Sequence, residues 1–154
     1  MIDKKKEILE DEDRVARYCG GSKVDDGVID PGVYFLKREK NEESISVNWL
    51  EFFNTDTQVA LSEIKQTLIE KKMTIGANSY FAVLGVGIIR DLKERRTIKE
   101  KFPSLFLDVR REPEENDQSH AGITGTYALN DLSELAIARV LAVSHSALIK
   151  ASEL

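Results

Sequence analysis

The stretch SISVNWLEFF, residues 44–53, has the alternation of apolar and polar side chains that is typical of a β-strand. Successive side chains of a strand point to opposite faces of a sheet, so this stretch has one apolar and one polar face. The apolar side chains are Ile45, Val47 and Trp49, and the polar ones are Ser44, Ser46 and Asn48. We therefore expect one face to line the core and the other to offer small hydrogen-bonding groups.

The composition predicts one globular domain. A length of 154 residues is enough for a single hydrophobic core and leaves little room for a second. Hydrophobic residues make up 42% of the chain and charged residues 32%, a balance that disordered chains do not have. The net charge of -5 argues against sequence-independent nucleic-acid binding, which needs a broad basic surface. The charge thus argues against a nucleic acid as partner but leaves room for a small surface that contacts RNA.

The sequence also favours a cytoplasmic location without membrane contact. Its apolar runs are far shorter than the roughly 20 residues that span a bilayer. Residues 1–12 are rich in charge and lack the apolar segment of a signal peptide. We predict that these residues form a charged N-terminal arm, frayed or in a short helix, and that residues 13–154 form the domain.

The hydrophobic periodicity predicts an α+β fold. Apolar residues recur at helical spacing in some segments and alternate or run continuously in others. We expect a small sheet of about four or five strands with two main helices packed on one face. The predicted helices are 13–19, 55–72, 88–102 and 130–151, and the predicted strands are 33–37, 44–49, 80–87, 105–111 and a short one within 121–129.

A histidine in QSHAGITG, residues 118–125, is the candidate catalytic residue. Small residues and glycines around it let a ligand approach the backbone closely. Histidine is the side chain best suited to proton transfer near neutral pH. We interpret His120 as a general acid or base and Ser119 as a binding residue. The alternative is a loop histidine that holds a turn through its ring nitrogens, and His145 is interpreted as structural or exposed.

Two arginines in DRVARY, residues 13–18, are candidate anion ligands. On a helix Arg14 and Arg17 would share a face, and two guanidiniums there could bind a phosphate or a carboxylate. The alternative is a solvated face, or pairing with acids such as Asp13 and Glu51. The full set of predicted binding residues is Arg14, Arg17, Ser46, Asn48, Glu51 and Ser119.

Four further features point less clearly to chemistry. The glycines of GVG, residues 85–87, lack the third glycine or the lysine of a nucleotide loop and indicate close packing. The basic segment 93–101 could contact nucleic acid or an acidic partner, or could be a solvated helix face. Cys19 is a candidate nucleophile or a small buried side chain. The acidic loop 112–120 is longer than a plain connection needs.

Metal-ligand spacing is absent from the sequence, and we expect neither a metal site nor a cofactor. The segments DRVARYC, ISVNWLEF, FAVLGVG and SHAGITG, in that order, resemble a family of small, uncharacterised bacterial proteins. The likeness spans most of the chain. It implies a single compact domain in a bacterial cytoplasm, and it implies no activity, cofactor or site residue.

Three functional hypotheses follow from these features. The first is a binding domain that acts with a protein partner or a small, phosphate-bearing ligand, at a pocket where the three polar segments meet. The second is a small enzyme acting on a phosphate-bearing nucleotide or RNA, with His120 as general acid or base. The third is a pure interaction module, which requires an exposed apolar patch instead of a pocket.

Overall fold

A computed structural model describes residues 3–154. Its strands are β1 Arg14–Cys19, β2 Val24–Asp25, β3 Val28–Ile29, β4 Ile45–Trp49, β5 Tyr80–Gly85, β6 Asp108–Arg111, β7 His120–Thr124 and β8 Ala147–Lys150. Six of them form one sheet in the order β6-β7-β4-β1-β5-β8, and β2 pairs with β3 in a separate hairpin. Every neighbouring pair in both sheets is antiparallel.

The described residues contain four α-helices, α1 Thr57–Glu70, α2 Val86–Asp91, α3 Arg96–Lys101 and α4 Asp131–Ala142. Both long helices begin at a polar cap, as helices commonly do. Asp56 accepts a hydrogen bond from the backbone N–H of Val59, and Asn130 accepts one from Ser133. The predicted α+β class and single domain are confirmed, and the sheet has more strands than we expected.

The two long helices pack on opposite faces of the sheet, so the prediction that they share one face is wrong. Leu61 and Ile64 of α1 pack with Phe81 in one core cluster. Ile137 of α4 packs with Leu84 in the other. The reason lies in β5, whose side chains from 81 to 84 are all buried, so that both of its faces need cover.

The segment 13–19 is the central strand β1 and not the predicted helix. It pairs with β5 along its whole length and with β4 at its start. The spacing of Val15 and Tyr18 suited a helix, but two neighbouring strands satisfy the backbone of this segment and override that weak preference. As a consequence Arg14 and Arg17, three residues apart, lie on opposite faces of the sheet.

Three other predicted elements differ in the structure. Residues 33–37 do not form a strand, because Asp30 caps a 3-10 turn at Pro31–Tyr34. The predicted helix 88–102 is divided into α2 and α3 by a 3-10 turn at Leu92–Glu94. The last predicted helix ends at Ala142, and the chain then adds β8 to the edge of the sheet beside β5.

One face of residues 44–49 lines the core, as the alternation of this stretch predicts. Ile45, Val47 and Trp49 are at most 1% exposed, and Ser46 lies on the other face. The N-terminal arm is not frayed in its described part, since Leu9 is buried and Arg111 binds the carbonyl oxygens of Lys4 and Lys6. The first two residues of the predicted arm lie outside the described residues.

Crossing a bilayer would need a longer and more apolar helix than any found between residues 3 and 154.

Candidate functional site

A gap in the sheet between β1 and β4 creates the candidate site. The two strands pair at Val15–Trp49 and Ala16–Asn48 and then separate. The guanidinium of Arg17 closes the gap by donating from Nη1 to the carbonyl oxygen of Ser46, at 2.8 Å. It also donates from Nε and Nη2 to the carbonyl oxygen of Val33, at 3.0 and 2.7 Å.

A pocket of about 200 Å³ lies at this gap, beside the end of α1. The structure brings four sequence-predicted site residues to it, from three different segments of the chain. These are Arg17, Ser46, Asn48 and His120. Sequence reasoning did not identify the other charged lining residues, which are Lys37, Glu42, Lys71 and Glu114.

Arg17 carries a positive charge. Among residues 3–154, no carboxylate lies within ion-pair distance of its guanidinium. Burial lowers the pKa of its guanidinium, and the nearby Tyr34, Cys19 and Glu42 oppose that effect. Of the five N–H groups of a guanidinium, three donate to backbone carbonyls. One N–H on Nη1 and one on Nη2 have no hydrogen-bond partner within residues 3–154.

His120 is the first residue of β7, and the two groups near its Nδ1 both belong to Glu112, whose carboxylate lies 3.9 Å away. Its Nδ1 lies 2.8 Å from the carbonyl oxygen of Glu112, an atom that can only accept a hydrogen bond. The proton of the neutral ring is therefore on Nδ1, and Nε2 carries the lone pair. Within residues 3–154 Nε2 has no hydrogen-bond partner, so the ring can accept a proton or a hydrogen bond at the pocket.

Asn48 and His120 are directly opposite each other on β4 and β7, but their side chains bind different partners. The amide of Asn48 donates to the carboxylate of Asp117, at 2.9 and 3.0 Å, and to the hydroxyl of Ser119. Ser119 in turn donates to Asp117. The amide nitrogen of Asn48 is thus occupied. Asn48 lines the pocket, whereas the predicted binding residue Ser119 is fully buried behind Asn48 and is not part of the lining.

The buried carboxylate of Asp117 holds the acidic loop 112–120 against β4 and the end of α1. The side chain of Asp117 is fully buried and accepts a hydrogen bond from Lys71 Nζ at 3.0 Å, and Lys71 also pairs with Glu114 at 2.7 Å. Burial disfavours the charge of Asp117, but hydrogen bonds from Asn48, Lys71 and Ser119 outweigh that cost and hold its pKa below the usual range. The unusual length of loop 112–120 was the only sequence signal for this part of the site.

Two predicted binding residues lie elsewhere. Arg14 donates to Glu51 from its backbone nitrogen, at 2.7 Å, and from Nε, at 2.8 Å. The same guanidinium binds Thr57 and the carbonyl oxygen of Thr55. Arg14 and Glu51 therefore tie the start of α1 to β1, which is the pairing that the sequence left open as an alternative.

Other sequence candidates contribute little chemistry. Cys19 is buried, and burial raises the pKa of its thiol to about 11, so the reactive thiolate is suppressed at neutral pH. In the basic segment, Arg96 and Lys99 pair with the nearby Glu100 and Glu94 on an exposed surface. Residues 3–154 contain no group of three His, Cys, Asp or Glu side chains placed to hold a metal ion.

The site can do two things chemically. Arg17 can bind an anionic group, and the free Nε2 of His120 can accept a hydrogen bond or a proton. Comparisons of this chain with family models, with curated proteins and with solved structures give no match. The function is therefore inferred from the side chains of the pocket.

Proposed function

We propose that the protein is a binding domain for a small ligand that carries a phosphate or a carboxylate group. The observation that carries this proposal is Arg17, a half-buried guanidinium that lines the pocket and has two N–H groups without a partner among the described residues. A buried charge is costly unless an opposite charge or strong hydrogen bonds compensate it. An anion bound to the two remaining N–H groups supplies both.

The size of the pocket favours a small molecule. Its volume of about 200 Å³ is smaller than the roughly 300–1,000 Å³ of sites that enclose drug-sized ligands. A phosphate or carboxylate with a few carbon atoms fits this space, and a whole nucleotide would extend out of it.

The charges around Arg17 argue against RNA as the ligand. Of the charged residues that line the pocket, Glu114 is paired with Lys71 at 2.7 Å, which leaves Arg17 and Lys37 against Glu42. A net charge of about one suits a single anionic group better than a chain of phosphates. A diffusible small anion is consistent with the bacterial cytoplasmic location that the sequence and the family resemblance predict.

A second candidate function is an enzyme that acts on a small phosphate-bearing substrate. The observation that favours it is the fixed tautomer of His120, whose Nδ1 donates to the carbonyl of Glu112. This orientation leaves Nε2 free to act as a general base. Arg17 would then hold the phosphate while His120 accepts a proton from the substrate.

Binding of simple anions tests the proposal. Titration of the labelled protein with inorganic phosphate or with acetate, followed by NMR, should shift the backbone amides of Tyr18 and Ser46 in a saturable way. In Arg17→Met these shifts should be lost, whereas Arg110→Met, which changes an exposed arginine of β6, should bind like the wild type. Absence of any saturable shift in the folded wild type would refute anion binding at this pocket.

A further inference from the structure

We infer that the ligand is a hydroxylated anion, such as a hydroxy acid or the phosphate of a small polyol. Its anionic group binds Arg17, and its hydroxyl group donates a hydrogen bond to Nε2 of His120. This inference rests on the proposed anion-binding function and adds the second point of recognition, which sets the chemical class of the ligand.

The register of the sheet shows how the two recognition points reach one pocket. Ala16, Asn48 and His120 lie in one row across β1, β4 and β7, so their side chains share a face. Arg17 leaves β1 on the other face, but its guanidinium reaches the gap between β1 and β4, where it binds the carbonyl oxygen of Ser46. Neighbouring strands are about 4.8 Å apart, so the row spans about 10 Å. Arg17 and His120 both line the pocket, and a ligand that contacts both needs a few carbon atoms between its two polar groups.

The tautomer of His120 decides what the second group of the ligand must be. Because Nδ1 donates to the carbonyl oxygen of Glu112, Nε2 of the neutral ring can only accept. A ligand carbonyl or ether at this point would meet a lone pair and gain nothing. A hydroxyl group supplies the proton that Nε2 needs.

An ammonium group would meet a less favourable charge distribution than a hydroxyl. The carboxylate of Glu42 already accepts a hydrogen bond from the backbone N–H of Lys37, at 2.8 Å. The carboxylate of Glu114 is paired with Lys71 at 2.7 Å. Because Arg17 and Lys37 already place positive charge in the lining, a neutral hydroxyl donor is favoured over an ammonium group on the ligand.

Matched probe pairs test this inference. Glycerol 3-phosphate and propyl phosphate have similar size and charge, and only the first carries hydroxyl groups. 4-Hydroxybutyrate and butyrate form a second pair. We expect the hydroxylated member to bind about three- to tenfold more tightly, as one added hydrogen bond allows. The first pair reports a phosphate ligand and the second a carboxylate ligand.

His120→Asn is the informative variant, because its amide nitrogen can still donate to the Glu112 carbonyl while the acceptor at the Nε2 position is lost. The preference for the hydroxylated probe should then disappear, with the affinity for propyl phosphate or butyrate unchanged. His145→Asn is the matched control and should keep the preference. A variant His120→Asn that keeps the preference would overturn the role of His120.

The outcomes separate the two proposals. If both members of a pair bind equally well to the wild type, the hydroxyl inference is wrong and anion binding stands. If none of the four probes binds, the hydroxyl inference and the anion-binding proposal are both wrong.

Imidazole ¹⁵N NMR provides an independent readout. His120 should show the proton on Nδ1, and its Nε2 resonance should shift on addition of the hydroxylated probe. The resonances of His145 should not respond. A proton on Nε2 of free His120 would also overturn the inference.

Discussion

Arg17 Nη1 lies 2.8 Å from the carbonyl oxygen of Ser46, at the point where β4 separates from β1. This contact takes the place of the backbone pairing that would otherwise continue the ladder between the two strands. The same guanidinium binds the carbonyl oxygen of Val33, so one side chain connects β1, β4 and the 3-10 turn at Pro31–Tyr34. Arg17 thus lines the pocket and also connects the segments that form its walls.

Replacing Arg17 by lysine should lower the free energy of unfolding by about 1–3 kcal/mol. The single ammonium group of lysine cannot reproduce the three hydrogen bonds of the guanidinium to the carbonyl oxygens of Val33 and Ser46. Urea unfolding followed by fluorescence measures this loss. Arg110→Lys, on the exposed edge strand β6, is the matched control and should change stability by less than about 0.5 kcal/mol. Equal stability of Arg17→Lys and the wild type would show that the three bonds do not support the fold.

Removing the indole of Trp49 should destabilise the protein by about 3–5 kcal/mol, the range for truncating a large buried aromatic side chain. Trp49 is 0% exposed, and its indole N–H donates to Asp13 at 3.1 Å. Thermal unfolding of Trp49→Ala measures the effect. Phe106→Ala, at a phenylalanine that is 57% exposed, should unfold close to the wild type. A Trp49→Ala protein that melts like the wild type would contradict the burial of this residue.

The sequence predicted the elements whose pattern is set by one buried face. The strand β4 alternates cleanly, and α1 shows an apolar stripe, so both are close to their predicted positions. The central strand β1 was missed because it is half-polar, with arginines at 14 and 17 that pair with distant groups. The strand β8 was missed because its identity depends on pairing with β5, which the local pattern of residues 147–150 does not show.

For the site, the polar segments were recognisable in the sequence, but the partners of their side chains were not. Arg17, Asn48 and His120 were expected to meet, and they line one pocket. Lys71 and Asp117 were not expected, since their contact depends on how the acidic loop folds back onto the end of α1. Such contacts between segments far apart in sequence follow from the strand order, which periodicity does not determine.

Asp117 should make the stability of the protein sensitive to acid. Its pKa is lowered in the folded state, so its contribution is present above the unfolded value of about 3.9 and is lost as the pH falls through the lower folded value. The unfolding free energy of the wild type should therefore fall more steeply below about pH 4 than that of Asp117→Asn. Urea unfolding at a series of pH values measures both slopes. Parallel pH profiles of the two proteins would contradict the lowered pKa.

Cys19 should resist thiol reagents in the folded protein. Burial raises its pKa to about 11, so little thiolate is present at pH 8, and the side chain is 0% exposed. We expect a disulfide reagent to label less than one thiol per chain over hours in buffer and one thiol within minutes in urea, since the chain has a single cysteine. Rapid labelling of the native protein would show that Cys19 is accessible and would restore it as a candidate nucleophile.

Arg111 should keep the N-terminal arm on the domain. Its Nη1 donates to the carbonyl oxygens of Lys4 and Lys6, at 3.0 and 2.9 Å, and its guanidinium lies 5.2 Å from the centre of the Trp49 ring. In Arg111→Ala the arm loses both bonds, so hydrogen exchange of the amides from 4 to 9 should become faster while that of β5 changes little.

The neighbouring Arg110→Ala provides the control, because Arg110 belongs to the same strand and its side chain is exposed. Its exchange pattern in the arm should match that of the wild type. If Arg111→Ala left arm exchange unchanged, the buried Leu9 and the bridge between Ile8 and Arg110 would be sufficient to hold the arm. Faster exchange in both variants would instead indicate that the edge of β6, and not the Arg111 guanidinium, fixes the arm.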